Sequence, residues 1–155
     1  MTTATTGPVM IGGEDPDVRE ALLRSARRYL CVVEERRHVA RLHAQGMSQR
    51  QIAAKLKTTQ PRVHRILGDI GEIEEQGVLE PRPEEMIKRA FVEGTDREEL
   101  VAALIAYPHT DSREIPNTFD GVVPGTWNEV AGAHAAGLLT DEEFARICAA
   151  RDRVK

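Results

Sequence analysis

Apolar residues recur at three- and four-residue steps along most of this chain, and the runs break at glycine, proline and capping residues. Val18, Leu22, Leu23, Ala26, Tyr29, Leu30 and Val33 form one such face, opened by Asp15 as N-cap and Pro16 at the first helical position. Val39, Ala40 and Leu42 continue it toward Gly46, as one long helix or as two bent around Glu34. Ser48 with Gln51 makes a capping box for a second helix whose inward positions are Ile52, Ala53 and Leu56. Thr59 caps a third, with Pro61 in its first turn and Val63, Ile66 and Leu67 inward. The stretch after Gly68 extends that helix or begins an acidic connector.

The second half has the same period. Pro83 to Glu93 predicts a helix stopped by Gly94, and Thr95 with Glu98 a capping box for a helix that Pro108 ends. "HTDSREIPNTFDGVVPGT" is a long loop, "TWNEVAGAHAAG" a short helix, and Thr140 with Glu143 caps the last helix. "GVLEP" and "GVVPG" are too short to weigh as strands. The fold class expected is all-α. Its expected parts are a disordered 1–14, a DNA-binding domain over 15–70, a linker over 71–82 and an acidic helical interaction domain over 83–155.

Composition sharpens this in two ways. Apolar residues are 41% and aromatics 4%, so the core has to be built from Ala, Leu, Ile and Val in closely packed helices. Charge is divided unevenly. Residues 1–67 carry 12 Arg/Lys against 6 Asp/Glu, whereas residues 68–155 carry 9 against 19. From Arg24 to Leu67 the count is 11 against 2, so a net charge of −4 says little against a nucleic-acid partner. Cys31 and Cys148 lack metal or disulfide spacing and are expected as buried free thiols in a reducing cytosol. The N-terminal residues do not read as a signal peptide, and no run reaches the roughly 20 apolar residues of a membrane span. A cytoplasmic location is the expectation. Seventeen arginines against four lysines fit a GC-rich bacterial genome.

The stretch "MSQRQIAAKLKTTQPRVHRIL" carries the functional signal. A helix that reads DNA has to be braced at a fixed angle while its free face carries hydrogen-bonding side chains to major-groove edges. Ala53 is the small residue at the crossing, with Ile52, Leu56, Val63 and Ile66 as the apolar clamp. Ala53, Val63 ten residues later and Ile66 three beyond resemble the helix-turn-helix superfamily, and "SQRQIAAKL…TTQPRVHRIL" resembles DNA-binding domains of small bacterial repressors and recombinases. The family usually has glycine at the corner, where this chain has Lys57. Outward on the third helix lie Gln60, Pro61, Arg62, His64 and Arg65, beginning beside Thr59. Glutamine suits adenine and arginine guanine, although Arg62 or Arg65 can equally hold phosphate. Ser48, Gln49 and Arg50 suit a phosphate at the N-terminus of the second helix. The competing reading of the same residues is a solvated basic surface on an ordinary helical hairpin.

The remaining candidates point away from catalysis. The five histidines lack metal-ligand spacing, and the pairs Glu84/Glu85, Glu98/Glu99 and Glu142/Glu143 fall in first helical turns, where they complement the helix dipole. No nucleophile context and no phosphate-cradling glycine loop is present, so neither enzyme activity, metal nor cofactor is expected. "GLLTDEEFARI" resembles short C-terminal helical hairpin modules of bacterial proteins, which implies a partner protein or self-association through residues 83–155. Trp127 and Phe144 are equally read as the core of a helical cap. The leading expectation is a sequence-specific regulator of double-stranded DNA, a repressor. The alternative is an antitoxin-like protein holding its operator with one half and a partner with the other.

Overall fold

The computed structural model describes residues 10–73, 80–114, 122–123 and 125–154. Its helices are α1 (Pro16–Ala44), α2 (Gln49–Leu56), α3 (Gln60–Ile73), α4 (Pro83–Glu93), α5 (Arg97–Ala106), α6 (Thr126–Ala135) and α7 (Asp141–Val154). The fold is all-α. Strand pairing among the described residues is confined to β1 (Arg113–Glu114) against β2 (Val122–Val123), antiparallel with Arg113 opposite Val123. The Val-Val of "GVVPG" therefore pairs after all, inside the long loop; residues 115–121 and 124 of that loop, and 77–79 of "GVLEP", lie outside the described residues.

Local chemistry sets most helix ends. The Asp15 carboxylate accepts the Asp17 N–H at 2.9 Å, and α1 then runs unbroken past Glu34 to Ala44. Gly46, at φ 87°, ends it: its N–H reaches the His43 carbonyl and the Met47 N–H the Leu42 carbonyl. Those two bonds cap the last carbonyls of α1. In the acidic half the Thr140 hydroxyl accepts the Glu143 N–H at 3.1 Å and Glu143 answers the Thr140 N–H at 2.9 Å. The start of α5 departs from expectation by one residue. Asp96, not Thr95, is its N-cap and accepts the N–H groups of Glu98 and Glu99 at 2.8 and 3.1 Å. A carboxylate there meets the positive end of the helix dipole better than a hydroxyl does.

Contacts gather the chain into two units, residues 28–81 and the remainder. In the second unit Leu22, Leu23 and Ala26 of α1 pack with Ile87, Phe91, Leu100, Leu104, Val130 and Ile147. The first dozen residues of α1 thus share a core with the acidic helices, although charge had grouped them with the basic stretch. Charge follows solvent exposure, whereas a unit follows buried area. Residues 1–9 lie outside the described residues; just before α1, Ile11 packs on this core and the Gly12 N–H bonds the Gly137 carbonyl at 2.9 Å. Trp127 and Phe144 stack with centroids 5.9 Å apart at the edge of the same core. Arg97 closes α5 on α7, making a two-pronged pair with Glu143 at 2.9 and 2.8 Å and a bond to the Leu138 carbonyl.

The 28–81 unit has its own core of Val39, Ile52, Ala53, Val63, Ile66 and Ile70. Val39, Ile52 and Val63 are fully buried, each worth about 1.5–3 kcal/mol relative to exposure. Two expectations for α1 fail. Val18 is exposed, and so is Cys31. A stripe wide enough for a helix face on paper has edges that no neighbour covers. Cys148 is half-buried, and burial followed by Asp152 pushes its thiol up, away from the reactive thiolate.

Candidate nucleic-acid interface

The site is built on α2, the corner after it, and α3. Ser48 caps α2 through its side chain to the Gln51 N–H at 3.2 Å, while the Gln51 side chain accepts the Ser48 N–H at 2.9 Å. Lys57 then adopts the left-handed conformation, φ 54° and ψ 43°, the one described non-glycine residue with positive φ. The Thr58 N–H bonds the Ala53 carbonyl at 2.9 Å and the Lys57 N–H the Ala54 carbonyl at 3.4 Å, the paired bonds that finish a helix around a left-handed residue. Lysine therefore occupies the corner where glycine is usual and takes up the same backbone turn. Thr59 accepts the Arg62 N–H at 3.4 Å, Pro61 sits in the first turn, and α3 runs on to Ile73.

About 3.6 residues per turn divide α3 into faces. Val63, Ile66, Leu67 and Ile70 face the core, and Ala53 of α2 is 6% exposed beside them. Arg62 and Asp69, seven apart, share one flank and both turn to α1. Arg62 forms a two-pronged pair with Glu35, both distances 2.7 Å, and Asp69 lies 4.0 Å from Arg36. His64, on the other flank, meets the Gln49 side chain of α2 at 3.3 Å. Pro61, Arg65 and Gly68 are left on the outward face, all exposed, with exposed Gln60 at the helix start.

The nine residues singled out in the sequence therefore play unequal parts. Arg50, Gln60 and Arg65 are exposed and make no hydrogen bond or ion pair with described residues. Ser48 and Thr59 accept cap bonds, while their hydroxyl hydrogens are used by no described residue. Gln49 and His64 hold each other. Arg62 is engaged by Glu35, whose carboxyl is held below its ordinary range first by that hydrogen bond; burial opposes the shift, and the charges of Arg62 and Arg36 add to it. Sequence reasoning missed Glu35. Its only signal was rarity, since Glu34 and Glu35 are the two carboxylates among eleven cations between Arg24 and Leu67.

A braced helix, a tight corner and a polar outward face with a free arginine make a helix-turn-helix. Residues 32–69 match the homeodomain-like domain family. The homeodomain-like segment spans the later part of α1, all of α2 and α3 as far as Asp69, the elements that carry every residue above. No curated protein and no solved structure matches the chain. Outside this segment, no group of three or more His, Cys, Asp or Glu side chains among the described residues is placed to hold a metal ion, and no described helix is long and apolar enough to cross a membrane.

Proposed function

We propose that the chain is a sequence-specific DNA-binding transcriptional regulator, acting as a repressor, which lays α3 in the major groove of duplex DNA. The observation that carries this reading is the outward face of α3, where Gln60 and Arg65 stand exposed and unpaired on a helix braced along both flanks. In this reading Gln60 and Arg65 meet base edges, for which their donor and acceptor patterns are suited. Arg50 and the first turn of α2 hold a phosphate, fixing register without reading sequence. Lys55 and Lys57, exposed at the end of α2 and the corner, add to the attraction for the backbone. The acidic helices from Pro83 onward serve interaction, with a partner protein or a second copy.

The test is binding-site selection on the full chain and its variants, with affinities measured at several salt concentrations. Gln60→Ala and Arg65→Ala are each expected to cost about 1–3 kcal/mol and to relax preference at one base pair. Arg50→Ala is expected to weaken all sequences alike and to reduce the log–log salt slope by about one. Wild-type affinity that does not change with salt would overturn the reading.

A further inference from the structure

Glu35 stands out because it spends a carboxylate on the arginine nearest the start of α3. It holds Arg62 through Nε and Nη2, both at 2.7 Å. Nη1 and the second hydrogen of Nη2 reach no described residue, and the Arg62 side chain is 48% exposed. The guanidinium therefore has an open edge on the first turn of α3, beside exposed Gln60, Pro61 and Arg65. A phosphate presents the same two-oxygen geometry to a guanidinium that a carboxylate does. An ion pair this exposed is weakly held in water, so a second anion can compete for it.

We propose that Glu35 is an internal competitor for DNA phosphate: it occupies Arg62 in the free protein, is displaced by a backbone phosphate on binding, and so limits affinity for duplex of any sequence. This rests on the DNA-binding reading above. The exchange involves no base contact, so Glu35 lowers affinity without altering which sequence is preferred. Operator and random DNA are weakened by the same factor, so the ratio between them is kept while non-specific binding, which depends on phosphate contacts almost alone, becomes weaker in absolute terms. Its neighbour Glu34 has contacts of its own and is not part of the proposal.

The experiment measures affinity of the full chain for a random-sequence duplex across salt concentrations, with a thermal melt of each variant. Glu35→Gln keeps the shape of the side chain and removes its charge. It is expected to bind on the order of tenfold tighter at about 50 mM salt with a slope close to that of wild type, since Arg62 meets the same phosphate in both complexes. Arg62→Ala is expected to lower the wild-type slope by about one, and Glu35→Gln with Arg62→Ala to match Arg62→Ala alone. If Glu35→Gln binds no tighter and Arg62→Ala leaves the slope unchanged, Glu35 is a brace between α1 and α3 and the proposal falls. Should Glu35→Gln melt below the assay temperature, the Arg62→Ala slope decides by itself. Wild-type protein that shows no salt-dependent binding sinks the DNA reading instead, which is a separate result.

Discussion

Replacing Lys57 with glycine tests the corner on which the whole interface depends. At φ 54° and ψ 43°, an L-residue brings its Cβ close to the following carbonyl oxygen, a cost of roughly 1–2 kcal/mol. Glycine has no Cβ and escapes that cost, but it gains freedom in the unfolded chain worth about 0.4–1 kcal/mol. The lysine side chain is exposed and bonded to no described residue, so nothing else is lost on its removal. The net expectation is a stabilisation of about 0.5–1 kcal/mol, which for a chain of this size raises the melting temperature by about 1–4 °C. Lys57→Ala is the control, since it removes the charge and keeps the strained backbone. Urea denaturation of the three proteins in one buffer separates the two effects. Lys57→Gly no more stable than Lys57→Ala would mean that the corner is not left-handed, and the placement of α3 against α2 would have to be abandoned. DNA affinity, measured alongside, should fall equally in both variants if the Lys57 charge lies near the backbone.

Three further outcomes follow from the packing. Ala53→Leu puts three more carbons into a crossing where alanine is 6% exposed; overpacking of about 1–3 kcal/mol is expected, with DNA binding falling more than stability, and undiminished binding would contradict the crossing. Gly125 lies directly against the Thr110 carbonyl oxygen with no room for a Cβ, so Gly125→Ala should cost at least the upper part of that same roughly 1–3 kcal/mol range in a denaturation midpoint, and a silent variant would refute the close approach. Glu143 is 8% exposed; burial raises its carboxyl, but the Arg97 pair and the Thr140 bonds outweigh burial and leave it lowered. A lowered folded value means stability that is complete above the ordinary glutamate range and lost as pH falls toward the folded value. Glu143→Gln should therefore be less stable than wild type at neutral pH and lose less on acidification, read from urea midpoints across pH; parallel pH profiles would rule this out.

The short-range chemistry of the chain was legible in its sequence. Capping bonds join residues three apart, so Ser48 with Gln51 and Thr140 with Glu143 declare themselves in any listing of residues. Helical period likewise revealed Val63, Ile66 and the small Ala53, because one face of a helix repeats every three or four positions. Even the left-handed corner at Lys57 could be placed, from its distance to that pattern rather than from the residue itself. What tertiary structure decided are the partners that lie far along the chain. Period says that Leu22, Leu23 and Ala26 need cover, but not that Ile87, Leu100 and Ile147 supply it in place of the nearer basic helices. It also leaves Arg62 free, since nothing local joins it to a glutamate 27 residues earlier. Solvent exposure is equal for two arginines on adjacent turns until a third helix approaches one of them. That approach, made by Glu35 on α1, separates an occupied Arg62 from a free Arg65.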